Sequence, residues 1–346
     1  MKWFAGIQNR LLLQLENLHK MKKALLIGIN DYPNGNELTG CVEDINNLKL
    51  VIERNSDRTV NFSVKLMPNE QSSEKAMEAI KELFNDTSDM AMLYFSGHGF
   101  INDTGAEIVF PDNIKTTGSY YKGIQMKDIM EVVNDSKVRN KIVILDCCHS
   151  GNMGKYKLEG TGSLLSTGVS ILTACREDET AMEMGGHGIF TERLCEALRG
   201  GAADFLGNIT MGGVYAYIDR AFGAWGQRPI FKTNVTEFAP IKNVSPDVPL
   251  SEILKLTELF VADNSSIQLD PSFEFTNSPK EEHKVVEPYA KAENVAKFKT
   301  LQKLQSIGFV KPVGEEHMYF AAMNSKTCIL TELGKYYWRL VKNDKI

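Results

Sequence analysis

Two short loops hold the residues of this 346-residue sequence best suited to covalent chemistry: Ser96-Gly97-His98-Gly99 and Asp146-Cys147-Cys148-His149-Ser150-Gly151. A thiol with an ordinary pKa of about 8.5 is a few per cent ionised at neutral pH. A neighbouring imidazole takes its proton and later returns it to a leaving amine, so one cysteine and one histidine can cut an amide. Glycines on both sides of His98 let a peptide backbone come close and let main-chain N–H groups face a developing oxyanion. Taken singly, a cysteine is usually a small buried hydrophobe and a histidine a satisfied core or surface group. Here a histidine stands about 50 residues before a cysteine with glycines around both, and the pair reads as a site.

Positioning two such loops requires a rigid scaffold. Residues 23–29 (KALLIGI) form an apolar run without helical period, followed by the turn residues Asn30, Asp31, Pro33, Asn34 and Gly35 and a helical pattern near 41–54. The unit recurs, with strands expected at 62–67, 90–95, 107–110, 141–145 and 169–174 and helices near 73–85 and 125–134. Six short apolar strands among amphipathic helices predict an α/β fold: a mostly parallel sheet covered on both faces. Such sheets put their sites beyond the carboxyl ends of the strands, where both loops fall.

Helical patterns near 189–199 and 210–222 precede Pro229, Pro240, Pro246 and Pro249, four of the 11 prolines, which mark a boundary. Beyond it the pattern predicts a helix over 251–262, a polar loop over 263–290 and a helix over 291–306. A strand over His317–Met323 and a last helix carrying Leu330, Leu333, Tyr337, Leu340 and Val341 complete it. That order suggests a small, helix-rich, winged-helix-like module. Phe4, Ile7, Leu11, Leu15 and Leu18 predict an N-terminal amphipathic helix. The expected division is therefore 1–21, 22–240 and 241–346.

Composition narrows the function classes. The chain is 43% hydrophobic and 24% charged, which is ordinary for a globular protein, and its net charge of −5 gives no general attraction to nucleic acid or anionic lipid. No apolar run reaches membrane-spanning length, and residues 1–20 show no signal-peptide core. The six cysteines follow no disulfide spacing, so reduced thiols and a cytoplasmic location are expected. Gly151-Asn-Met-Gly154-Lys155 fails as a phosphate loop, because position 149 is His and Tyr156 stands where Ser or Thr belongs. Cys147, Cys148 and His149 are consecutive and cannot easily converge on one tetrahedral ion.

The segments KALLIGINDY, GCVED, YFSGHG, ILDCCHSG and ILTACREDETA, with QRPIF at 227–231, resemble the successive blocks of the caspase-like cysteine peptidases of the prokaryotic metacaspase/orthocaspase type, over roughly residues 22–235. The resemblance implies a caspase-hemoglobinase-like sandwich with a six-stranded sheet. It implies Cys148 as nucleophile, His98 as base, and the backbone N–H groups of Gly99 and Cys148 as oxyanion hole, with Cys147 a neighbour. Caspases that cut after Asp carry Gln-Ala-Cys where this chain has Asp-Cys-Cys, which disfavours cleavage after Asp. Metacaspases cut after Arg or Lys, and their pocket positions correspond here to Cys41, Asp44, Ser96 and an acidic residue after Cys175, either Glu177 or Asp178. A carboxylate facing a guanidinium supplies that selectivity through a bidentate charged pair. Asp44 also reads as a stabiliser of a helix N-terminus.

Several metacaspases bind calcium, but Asp103, Glu107, Asp112 and Asp128 are dispersed and form no EF-hand, so no metal or other cofactor is expected. Lys155 and Lys157 are candidate self-cleavage sites in what otherwise reads as a solvated loop. Residues 245–346 hold 14 acidic and 13 basic residues, too balanced for a nucleic-acid footprint. By analogy the C-terminal module is expected to be a regulatory element that docks a protein activator, in an antiviral or cell-death response. The expected substrate is a protein or peptide. The competing reading is a catalytically silent caspase-like scaffold or a nucleic-acid-binding regulator.

Overall fold

The computed structural model describes residues 21–102, 105–114, 122–147, 165–174, 183–184, 187–222, 228–279 and 285–346. It divides into two compact units, one ending at Val244 and one formed by Phe205–Gly207 with Ser245–Ile346. In the first unit the first eight described strands in chain order are β1 (Lys22–Gly28), β2 (Phe62–Pro68), β3 (Met90–Ser96), β4 (Gly99–Asn102), β5 (Gly105–Ile108), β6 (Ile124–Gln125), β7 (Asn140–Asp146) and β8 (Val169–Thr173). The six-stranded sheet is ordered Ile230–Asn234, β8, β7, β3, β1, β2. All neighbours run parallel except Ile230–Asn234, which is antiparallel to β8.

Period-two alternation sorts the apolar runs onto two faces. Leu25, Ile27, Leu93, Phe95, Val143 and Leu145 pack with the helices Ser73–Phe84 and Met126–Asp135. Leu26, Met92, Tyr94, Ile142 and Ile144 pack with Cys41–Ile52, Ile189–Glu196 and Met211–Ala221. Every residue of β3 is buried, as a central strand covered on both sides requires.

One expected strand lies elsewhere. The 107–110 run forms part of β5, which pairs antiparallel with β4 and β6 in a separate three-stranded sheet. A parallel strand needs a crossover of about a dozen residues or more, and too little chain separates β3 from β5 for that; a hairpin needs only a turn. The sixth strand of the main sheet is Ile230–Asn234, in the QRPIF segment. The helix expected over 189–199 ends at Glu196 and continues as a π-turn, Ala197–Gly201.

The start of β8 is tied down closely. Ser166 N–H donates to Asn134 Oδ1 at 2.9 Å, and Lys141 Nζ donates to Ser166 Oγ at 3.2 Å. Gly168 N–H donates to the Asn234 carbonyl at 2.7 Å, and Lys141 N–H to the Gly168 carbonyl at 2.8 Å.

Gly28 ends β1 where helix Cys41–Ile52 begins, and a Cβ there would lie 2.3 Å from the Cys41 carbonyl oxygen. Because the obstacle is backbone, Gly28→Ala must separate strand from helix. We expect a loss of about 1–3 kcal/mol, read as a lowered midpoint in denaturant unfolding.

The second unit has its own core, in which Phe260, Leu269, Phe298, Leu301, Leu304, Phe309 and Leu330 are buried. Strands Ser266–Gln268, Thr327–Leu330 and Val310–Pro312 form an antiparallel sheet in that order, with helices Ala292–Ser306 and Glu332–Lys342 beside it. The region expected as one helix over 251–262 is two short turns, Leu250–Ile253 and Leu256–Leu259. The expected polar loop contains the first strand and the turn Pro271–Phe273. The expected strand at His317–Met323 is instead the helix Met318–Met323. Its buried residues Met318, Ala321 and Ala322 recur at spacings of three and four, while Tyr319 and Phe320 are exposed, which is a helical pattern. Among the described residues no helix is long and apolar enough to cross a membrane.

Glu252 gathers Lys303 Nζ at 2.8 Å, Lys255 Nζ at 2.9 Å and Thr300 Oγ1 at 2.9 Å. The hydrogen bonds from Lys303 and Lys255 bring its carboxyl from 4.5 to about 2. A carboxyl held below its unfolded value contributes stability above pH 4.5 and loses it as pH falls toward 2. Glu252→Gln is therefore expected to flatten the acid limb of unfolding in that window, followed by the fluorescence of Trp338, whose indole N–H donates to the Phe260 carbonyl.

Candidate active site

The register of the main sheet sets the site. Gly28, Ser96 and Asp146 are level across β1, β3 and β7. The chain therefore leaves β3 and β7 side by side at the same height, and Gly97 N–H approaches the Asp146 carbonyl at 3.4 Å. A Cβ on Gly97 would stand 2.6 Å from Tyr32 Oη and 2.8 Å from the Phe95 ring, so this close approach requires glycine. Cys147 continues the Val143–Leu145 face and is 1% exposed in the core. Cys148, Glu177 and Asp178 lie outside the described residues, as do Asp103, Lys155, Lys157 and the expected N-terminal helix.

The His98 imidazole is held by the loop that follows β1. Its Nε2 lies 2.8 Å from the Asn36 carbonyl oxygen. A carbonyl only accepts, so Nε2 carries the proton and the neutral ring keeps Nδ1 as its acceptor. The Tyr32 ring packs against the imidazole with centroids 4.5 Å apart and a 56° tilt. Burial raises the Tyr32 phenol above its ordinary range, so it stays protonated. Gly99 pairs with Ile108, one step beyond the pair in which Val109 N–H donates to the His98 carbonyl. It thus takes a non-hydrogen-bonded position, with its own N–H directed away from β5.

On the opposite sheet face three polar residues meet. Asp44 and Ser96 are each 3% exposed and Asp146 is 7% exposed. Ser96 Oγ makes a long contact of 3.5 Å to Asp44 Oδ2, and Thr191 Oγ1 donates to Asp146 Oδ2 at 2.7 Å. Since the Thr191 proton is used there, the 2.6 Å contact between Tyr94 Oη and Thr191 Oγ1 has tyrosine as donor. Burial first, then the Asp146 and Asp44 carboxylates, keep the Tyr94 phenol well above its usual range. Asp44 also lines a cleft with Asn47, Thr191, Glu192, Cys195 and Arg199. Cys41 is buried behind Gly28.

The structure therefore brings Asp44 and Ser96 together, and adds Asp146, which in the sequence is only part of the cysteine motif. The signal was present. Alternation from Ile142 and Ile144 puts residue 146 on the Tyr94–Ser96 face. Tyr32, the Asn36 carbonyl and Thr191 come from distant elements and had no such signal. Among the described residues, Glu107, Asp112 and Asp128 are each engaged at separate places. Glu107 accepts Gly123 N–H, Asp112 accepts Ser73 N–H and Oγ, and Asp128 lies in the first turn of Met126–Asp135. Among the described residues no group of three metal-ligating side chains is assembled.

A parallel sheet closed by one antiparallel edge strand, with a histidine loop and a cysteine loop leaving adjacent central strands, defines a caspase-like architecture. The chain belongs to the caspase domain family (Peptidase_C14), whose family profile matches residues 21–222, and it is similar over part of its length to metacaspases. It is 32% identical over 155 residues to Metacaspase-1 of Meyerozyma guilliermondii, covering 40% of this chain and 37% of that protein. It is 28% identical over 161 residues to Metacaspase-1 of Candida albicans, covering 40% and 35%. The chain thus spans little more than a third of the length of these curated relatives. Among solved structures, Caspase-1 from Spodoptera frugiperda aligns with a TM-score of 0.47 and 15% identity, over 66% of this chain and 91% of that one.

Proposed function

We propose that the protein is a cysteine endopeptidase that cuts peptide bonds after Arg or Lys with a Cys148–His98 dyad. The observation that carries this reading is the level register of Ser96 and Asp146. It sets the His98 loop beside the chain that leads, one peptide unit after the core-facing Cys147, to Cys148. His98 Nδ1 accepts the Cys148 proton, the thiolate attacks the scissile carbonyl, and the oxyanion is met by the Gly99 and Cys148 N–H groups. His98 then protonates the leaving amine, and water hydrolyses the thioester. Asp44 and Asp146, two buried carboxylates beside Ser96, supply the charge a guanidinium or ammonium at the cleaved position would pair with. Asp146 joins Asp44 as an acid of this pocket, and the expected Glu177 and Asp178 lie outside the described residues. The second folded unit supports a regulated enzyme with a protein activator as partner.

The test uses fluorogenic peptides with Arg, Lys or Asp at the scissile position, on wild type and Cys148→Ala, with calcium or chelator in parallel lanes. Cleavage of the Arg and Lys peptides only, lost in the variant, is expected. Silence on all three, together with no labelling of Cys148 by an arginyl ketone electrophile, would refute the reading.

A further inference from the structure

We propose that the Tyr32 hydroxyl is a positioning group for His98, acting as a one-atom spacer in the backbone ladder that carries the base. The catalytic part of this inference rests on the peptidase reading above; its structural part does not. β4 and β5 pair Gly99 with Ile108, so His98 and Val109 are the next pair in register. At a hydrogen-bonded antiparallel position the two residues exchange both N–H to carbonyl bonds. Here one is present, from Val109 N–H to the His98 carbonyl at 3.0 Å. The reciprocal bond is replaced by a relay. His98 N–H donates to Tyr32 Oη at 3.0 Å, and Tyr32 Oη donates to the Val109 carbonyl at 2.9 Å.

The direction of the relay is fixed, because a carbonyl accepts only and a hydroxyl has one proton to give. Two hydrogen bonds thus stand where an ordinary ladder has one of about 2.9 Å, and the His98 peptide is held off β5. The wedge comes from neither partner strand; it arrives on the loop after β1. The same loop holds the imidazole at Nε2 through Asn36, so main chain and ring of His98 are referenced to one segment. Gly97 gives the hydroxyl its room. Without the hydroxyl, His98 N–H is free to bond directly to the Val109 carbonyl, which draws Nδ1 away from the nucleophile's line. A misplacement of about 1 Å is enough to cost roughly a hundredfold in rate.

Tyr32→Phe tests this, since it keeps the ring against His98 and removes only the oxygen. Per active site titrated with an arginyl ketone, kcat is expected to fall roughly ten- to a hundredfold, with KM within about twofold. A merely structural tyrosine would lower the titrated fraction and leave kcat per site alone. The second readout is the His98 amide resonance in 1H–15N spectra, expected to move in the variant. If wild type cleaves nothing, the peptidase reading fails and the amide resonance alone decides on the spacer. Should Tyr32→Phe not fold, 3-fluorotyrosine placed at position 32 keeps the hydroxyl, alters its acidity and is expected to move the same resonance. An unmoved His98 amide, or unchanged kcat per site in an active enzyme, overturns the proposal.

Discussion

Alanine at His98 or at Cys148 is expected to lower kcat/KM on an Arg peptide by roughly a thousandfold or more, whereas alanine at Cys147 leaves it within a few-fold of wild type. The two cysteines are adjacent, and only Cys147 lies among the described residues. Cys147 follows Val143 and Leu145 onto the face packed by the helices Ser73–Phe84 and Met126–Asp135, where it is 1% exposed. A buried thiol there has no route to a peptide carbonyl. Its loss removes a small core side chain at a cost of about 1–2 kcal/mol in stability, separable from catalysis by measuring unfolding beside turnover. His98 differs because its Nε2 is committed to the Asn36 carbonyl, which leaves a single nitrogen to accept the thiol proton. Steady-state kinetics on the three variants decide the matter, and equal losses at Cys147 and Cys148 would undo the assignment of the nucleophile.

Asp146→Asn is the second large effect: a fall of about a hundredfold in kcat/KM for Arg peptides, with Asp44→Asn of the same order. Asparagine preserves shape and still accepts the Thr191 hydroxyl, so the Tyr94–Thr191 chain beneath it survives. The substitution removes the charge while keeping this bond. Asp44 also sits in the first turn of Cys41–Ile52, capped by Gly40 with no side-chain cap bond, so part of its effect could be on the helix. Comparing Arg with an uncharged citrulline isostere at the cleaved position separates the two roles. If both peptides lose activity equally, the residue serves the fold; loss confined to Arg assigns it to the pocket.

Much of this arrangement was legible beforehand because parallel strands buried on both faces leave near-continuous apolar runs, as in MAMLYFS and NKIVILD. The loops at their carboxyl ends then follow from topology. What misled was length without context. The run ending at Phe110 has strand character but sits too soon after β3 to cross over, and His317–Met323 looks apolar until its buried residues are seen to recur every three or four positions. Asp146 was visible as a letter in a motif. Its role needed the register with Ser96, a relation between residues 50 positions apart. Tyr32, which meets Val109 across 77 positions, lay further still beyond reach of any local pattern.

The ties at the start of β8 separate two kinds of continuity. β7 and β8 are neighbours in the sheet, yet the chain between them runs through residues 147–168. Ser166 is bound to Asn134 and Lys141, and Gly168 is bound to both Asn234 and Lys141. The segment entering β8 is thus fixed by contacts that do not depend on the peptide bonds preceding it. A scission between Cys148 and Leu164 would leave each new end attached to its own strand of one sheet. Cleavage there changes the number of polypeptides without changing the number of folded bodies.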